Sequence, residues 1–260
     1  MRGIFSLRKA SNDVQTSLGR LATGKKINRA SDNPSGMIAG ENMSGQIRAI
    51  EKRIAAISQQ DGYIGAREGG YSVVSDMLTE LSGLVVTAAN RDAMSPDEKK
   101  GLQEAVTGIL KAIDFTSVST TFKSQSIMSE AGTSQLGHTT DPANEAVSLA
   151  NLAEGGTLNL IDGDLETAQK VIAAAISGTS TVRASFGNQM TANDAEVALL
   201  QAELTNLSDA KSQIVDTDYA EETSKLMRAQ VQQQVATFAL QITADQRKGL
   251  LDLLKPLKTN

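Results

Sequence analysis

Carboxylates are the residues with which this chain could do chemistry. Asp97, Glu98 and Glu104 cluster as a general acid and base would. Yet Ser95-Pro96-Asp97-Glu98 also reads as a helix start, with Pro in the first turn and acids where the helix dipole favours them. That second reading asks for no substrate, and it is the one adopted. His138 is the sole histidine, in the loop-like run Gly137-His138-Thr139-Thr140, and a metal site needs two or three further strong donors. Asp162-Gly163-Asp164-Leu165-Glu166 imitates the start of a calcium loop but lacks the later ligands of the twelve-residue frame, so it reads as a turn and helix cap. Zero cysteines remove thiol nucleophiles, disulfides and thiolate metal sites. No catalytic residue, cofactor or metal is assigned, and the chain reads as a non-enzyme.

The composition agrees. Of 260 residues 40% are hydrophobic, but only 3% are aromatic and none is Trp. Small and short aliphatic side chains suit long helices packed along their length better than a thick core. The net charge of −5 conceals a segregation. Residues 1–53 hold ten Lys or Arg against four acids, whereas 124–169 hold seven acids and no Lys or Arg. The basic residues lack the aromatic company that nucleic acid asks for, so no nucleic-acid partner is assigned. No apolar run is long enough to span a membrane, and Met1–Arg8 shows no apolar signal-peptide stretch.

Spacing of apolar residues predicts the elements. Leu7, Val14, Leu18 and Leu21 predict a helix over 5–22, stopped at Gly24. An ordered polar loop follows, with Ser31, Asp32 or Asn33 capping the next helix and Pro34 in its first turn. A long helix over 35–90 carries Ile47, Ile50, Ile54, Ile57 and Ile64, then Val74, Met77, Leu81, Leu84 and Ala88. Another runs from Ser95 to about Phe115. Between 117 and 163, Ser, Thr, Gly and Asp-rich sequence with alternating pieces at 146–149 and 157–161 predicts a small β element with loops. Helices over 165–215 and 219–254 complete the chain. The last carries Leu226, Val235, Phe238 and Ile242 around Gln230, Gln232, Gln233 and Gln234, a seam too polar to hold the helix alone.

The fold class is therefore mainly α: a long antiparallel helical hairpin or coiled-coil rod with a small β and loop element in the middle of the chain. The chain runs out, turns and returns, so its terminal helices meet. Seams rich in Gln, Ser and Ala need further copies of the chain to cover them, which predicts assembly. The residues assigned to subunit packing are Leu7, Val14, Leu18, Leu21, Leu226, Gln230, Gln233, Gln234, Val235, Phe238 and Ile242.

Particular motifs resemble a known family. Arg20-Leu21-Ala22-Thr23-Gly24-Lys25-Lys26-Ile27-Asn28-Arg29-Ala30-Ser31-Asp32-Asn33-Pro34-Ser35-Gly36 is similar to the corresponding stretch of bacterial flagellins. Gln46-Ile47-Arg48, Asp61-Gly62-Tyr63-Ile64, 84–90, 214–222 and Gln230-Val231-Gln232-Gln233-Gln234 follow in family order. The resemblance implies a structural subunit that polymerises into the flagellar filament for swimming motility, exported to the extracellular flagellum. It also implies that 1–33 and 216–260 form an inner coiled-coil domain around which 34–215 forms a rod domain, its β region near 117–163. Implied partners are further copies of the chain, a flagellar export chaperone, and hook-associated and cap proteins. A hook–filament junction protein and a flagellin-like cell-surface binding protein are the alternatives.

Departures from the family carry their own expectations. The chain begins at Met1-Arg2-Gly3-Ile4-Phe5 where the family usually has about a dozen further residues, and Thr121-Phe122-Lys123-Ser124 replaces a Phe-Asn-Gly turn. Large outer domains are not expected from so short a middle segment. Receptor-activating flagellins place an Arg one turn before the Leu that aligns with Leu84, where this chain has Glu80. Their Glu in the next helix aligns with Ala105, beside Glu104. Reversed charge at a receptor contact implies weak recognition by the Toll-like receptor that senses flagellin.

Overall fold

The computed structural model describes residues 2–137, 139–140 and 146–253. Its elements are α1 (Arg2–Thr23), α2 (Pro34–Ala88), α3 (Pro96–Ser119), β1 (Thr121–Phe122), β2 (Gln125–Ser126), β3 (Thr139–Thr140), β4 (Ala146–Val147), α4 (Leu165–Val215) and α5 (Tyr219–Leu253). The mainly α class read from the spacing is the class observed. His138, the acids Asp141 and Glu145, and the expected helix end at Leu254 lie outside the described residues. Contacts divide the chain into two units, Met1–Lys52 with Gln201–Asn260, and Arg53–Leu200.

In the first unit α1 packs against α5. The buried and half-buried positions of α1 include Gly3, Leu7, Ala10, Val14, Ser17 and Leu21, an alternation of four and three, with half-buried Ser11 and Arg20 beside it. Those of α5 continue the same rhythm through Glu222, Leu226, Ala229, Gln233, Ala236 and Leu240. The helices are antiparallel: Leu240 faces Gly3, and Glu222 meets Ser17. α1 stops at Gly24, whose φ of +70° suits glycine, and where a Cβ would lie 2.9 Å from the Tyr219 hydroxyl. Backbone bonds from Lys26 N–H to Val215 C=O (2.7 Å) and from Thr217 N–H to Gly24 C=O (3.0 Å) tie the two junctions together. Of the three candidate caps for α2, Asn33 does the work, its Oδ1 accepting from Gly36 N–H at 3.0 Å. Asp32 instead accepts from the N–H groups of Asn28 (3.0 Å) and Arg29 (2.9 Å), which hold its carboxyl below the usual range.

In the second unit α2 and α4 are antiparallel, because contacts climb one helix as they descend the other: Arg53 to Glu196, Asp61 to Asn193, Glu68 to Arg183. The buried row of α2 recurs every seven residues at Ile57, Ile64, Tyr71, Leu78 and Val85, with Val74 and Leu81 between and Ala88 just beyond. Met77 and Leu84, expected in that row, flank it as partly buried residues. The aliphatic count skipped Tyr71, and counting by sevens from Ile64 through it reaches Leu78 instead. α3 opens with the expected cap: Ser95 Oγ accepts from Glu98 N–H, and the Glu98 carboxylate accepts from Ser95 N–H at 2.7 Å. The helix runs to Ser119, past the expected end near Phe115, because its buried row Gln103, Val106, Leu110, Ile113 and Ser117 continues that far.

The middle of the chain forms two short antiparallel ladders, β1 with β2 and β3 with β4, among turns. The piece at 146–149 supplies β4, but the piece at 157–161, expected as strand, is a turn. Leu158 and Leu160 alternate because both are buried, yet the Leu160 N–H donates to the Gln103 side chain at 2.7 Å, and the Ile161 and Asp162 N–H groups donate to Asn159 Oδ1. Side chains have taken the donors that a ladder needs. Asp164 caps α4 as expected, accepting from Glu166 N–H at 3.0 Å and from the Thr167 hydroxyl. The loop after β2 docks on α2: Met128 covers Gly70, where any Cβ would collide with its sulfur, and Glu130 pairs with Arg67. The Arg67 guanidinium also lies 4.9 Å from the Phe186 ring centroid and 5.7 Å from that of Tyr63.

Candidate functional site

α5 carries two apolar rows. The inner one, Leu226, Ala229, Gln233, Ala236 and Leu240, belongs to the buried rhythm shared with α1. The outer one, Met227, Val231, Val235, Phe238 and Ile242, keeps between 44% and 67% of its surface exposed. At 3.6 residues per turn the rows lie about 180° apart on the helix. A single helix needs one apolar row to dock on its chain, and the second is left as exposed apolar surface. Phe5 of α1, 73% exposed, joins it across a groove of about 640 Å³ lined by Phe5, Lys9, Val231, Gln232 and Val235.

Most of the residues assigned to packing from sequence divide between these two rows. Leu7, Val14, Leu21, Leu226 and Gln233 occupy the seam within the chain, half-buried. Val235, Phe238 and Ile242 lie on the outer row, while Leu18, Gln230 and Gln234 are exposed. One residue escaped the sequence reading. Glu222, 3% exposed, is at a seam position one turn before Leu226, and its carboxylate accepts from Ser17 Oγ at 2.7 Å. Arg20 and Lys225 stand 3.7 Å and 3.6 Å from its other oxygen. An acid four residues ahead of Leu226 in the same row was the available signal. Lys225 also bonds Glu221 at 2.8 Å, which raises the Lys225 pKa and lowers that of Glu221.

The receptor-contact candidates belong to the second unit. Glu80, Glu104 and Ala105 are exposed, and Leu84 is half-buried against the core. Ala105 lines a shallow groove of about 370 Å³ with Thr87, Met94, Glu98 and Leu102. Glu104 lies 3.9 Å from Lys100 on its own helix, an exposed pair of little energetic weight. Among the described residues no group of three or more His, Cys, Asp or Glu could hold a metal ion, and no helix is long and apolar enough to cross a membrane.

Comparison with known proteins reads the same two ends. Residues 5–133 match the bacterial flagellin N-terminal helical region, and residues 169–254 match the bacterial flagellin C-terminal helical region. The chain belongs to the flagellin family. It is 26% identical over 295 residues to a flagellin of Bacillus subtilis (strain 168), covering 95% of each chain. It is 24% identical to the flagellar filament 33 kDa core protein of Treponema phagedenis, covering 98% of each. Flagellin FljJ of Caulobacter vibrioides is 27% identical, with 96% of this chain and 94% of that one covered. A crystal structure of Bacillus cereus flagellin is 19% identical with a TM-score of 0.43, covering 60% of this chain and 94% of that one. This flagellin thus belongs to a structural family, and both rows of α5 lie inside the matched C-terminal region.

Proposed function

We propose that this flagellin is a structural subunit of the bacterial flagellar filament, carrying no catalytic activity, and that its copies join through the outer row of α5. The observation that carries this reading is the second apolar row, about 180° from the row that α1 covers. In this proposal 1–33 and 216–260 form the inner packing domain and 34–215 the domain around it. The exposed Gln230 and Gln234 flank the outer row and supply polar contacts between copies. The family relationship supports an extracellular location, with hook-associated and cap proteins at the filament ends. An export chaperone would grip the same apolar row before assembly, which makes the stretch from Tyr219 onward its binding segment. Toll-like receptor recognition is weak, because Glu80 reverses the charge expected beside Leu84, and Glu104 offers only a partial substitute for the Glu expected at Ala105. A seeded polymerisation assay tests the assembly claim. The native chain sediments as polymer above a critical concentration, and a chain that stays in the supernatant at every concentration contradicts it.

A further inference from the structure

Methionine is the one side chain of the outer row whose chemistry can change. Val231, Val235, Phe238 and Ile242 carry no reactive group, whereas the Met227 thioether can take an oxygen atom. The chain has no cysteine, so its eight methionines hold all of its sulfur and no thiol draws an oxidant away from them. They differ widely in access. Met128 is buried against Gly70, Met37, Met43, Met77 and Met94 are half-buried, Met190 is 37% exposed and Met227 is 67% exposed, while Met1 lies outside the described residues. The most exposed methionine among the described residues therefore stands on the surface assigned to assembly. Met227 begins the outer row and, with Arg228, Val231 and Gln232, lines an open groove of about 380 Å³. Loosening of α5 before assembly would bare the side chain further, so its access in the free chain does not depend on the packing of α1 against α5.

Resting on the assembly reading above, we propose that Met227 is a redox-sensitive modification site: a peroxide-class oxidant converts it to the sulfoxide in the free chain and so keeps that copy out of the polymer. The sulfur lone pair attacks one peroxide oxygen, the O–O bond breaks and an S–O bond forms. The proton on the attacked oxygen passes to the departing one, which leaves as water. Sulfur loses two electrons and the peroxide gains them. The product exchanges a soft apolar side chain for a polar one with a strong acceptor oxygen. In the free chain water satisfies that oxygen. On a covered face it would lie beside Val231 and Val235, one and two turns on, and lose its water, which is costly for a polar group left unpaired. A copy already in the polymer has its thioether covered and is spared. Reduction of the sulfoxide returns the thioether and reopens the face, so the mark is reversible.

Partition of the native chain tests this without any substitution. Dilute protein is treated with hydrogen peroxide until Met227 is partly oxidised, the peroxide is removed with catalase, and growth is seeded with untreated polymer. Peptide mass spectrometry then reads the sulfoxide fraction at each methionine in pellet and supernatant. Met227 should react faster than Met190 in the free chain. Its sulfoxide should be depleted in the pellet at least about fivefold, the low end of what an unpaired buried polar group costs. Reduction of the supernatant by a methionine sulfoxide reductase should return that protein to the pellet, and peroxide added after assembly should reach Met227 more slowly than in the free chain. In Met227→Leu, with its own untreated critical concentration as the reference, peroxide should leave that value unmoved; if this variant does not polymerise, the partition decides alone. Equal Met227 sulfoxide in pellet and supernatant, a Met190 that reacts first, or a peroxide-induced loss of assembly that persists in Met227→Leu overturns the inference. An untreated native chain that never pellets defeats the assembly reading instead, so the two failures are distinguishable.

Discussion

Replacing Phe238 by Ala removes the largest side chain of the outer row without weakening the helix, since Ala is the best helix former. Phe238 is 64% exposed in the single chain. Full burial of a Phe side chain contributes about 1.5–3 kcal/mol, so the part still facing water holds about 1–2 kcal/mol for a partner to recover. Losing one to two kcal/mol per added subunit should raise the critical concentration for polymerisation about 5–30-fold. The assay is sedimentation of polymer across a concentration series at fixed salt, with Gln241→Ala as an exposed control on the same helix. Far-UV circular dichroism and the thermal midpoint of the monomer should not change, because Phe238 makes little of the inner seam. A critical concentration equal to that of the native chain would refute the assignment of the outer row to copy–copy contact. A fall in monomer stability matching the polymerisation defect would refute it too, since the residue would then be holding the chain itself.

Further outcomes follow from other parts of the molecule. Lys123 and Ser124 form the two-residue turn between β1 and β2 with φ of 50° and 64°, so Lys123→Asn with Ser124→Gly should stabilise the chain by about 1–2 kcal/mol, read as a raised thermal midpoint. Gln103→Leu strips the bonds to Leu152 C=O (2.8 Å) and Leu160 N–H (2.7 Å) and should cost about 2–4 kcal/mol in urea unfolding, while the exposed neighbour substitution Glu104→Gln should be nearly neutral. The loop carboxylate Asp32 and the capping carboxylates Glu98 and Asp164 all have lowered pKa values, from backbone donors at Asp32 and Glu98 and the Thr167 hydroxyl at Asp164. Their contribution is complete above the unfolded values of 3.8 to 4.5 and is lost as pH falls through the lower folded values, so acid unfolding should begin below that range and Asp32→Asn should flatten it. In a receptor reporter assay Glu80→Arg should raise potency over the native chain, and more so with Ala105→Glu; native potency equal to that of a strongly activating flagellin would contradict the reading of Glu80.

The helices were legible because their signals are local. Gly24, Pro34 and Ser95-Pro96 mark ends, and the three-four rhythm survives in every long segment. The assignment of each residue to a surface was less legible. Leu226 and Phe238 both look like seam residues in sequence, but only their angle around α5 separates the inner row from the outer, and that angle matters only once α1 has chosen a side. Tyr71 and Gln103 were missed for a different reason. Neither is aliphatic, so a count of apolar residues passes over them, yet Tyr71 is in the heptad row and Gln103 satisfies two backbone groups of a loop some fifty residues away. The turn at 157–161 misread as strand because burial at every second residue is what a strand and a tightly packed turn share. Glu222 shows the same limit at the candidate site: a charged residue in a seam position is visible, but its partner Ser17 is 205 residues distant.

Electron microscopy of the purified chain after salt precipitation tests the central claim most directly. The account predicts long filaments of uniform diameter from the native protein, and none at the same concentration from a chain carrying Val235→Asp and Phe238→Asp, whose charges would be buried without partners. Rings, amorphous aggregate or monomers from the native chain, or filaments formed equally well by the doubly substituted one, would contradict it.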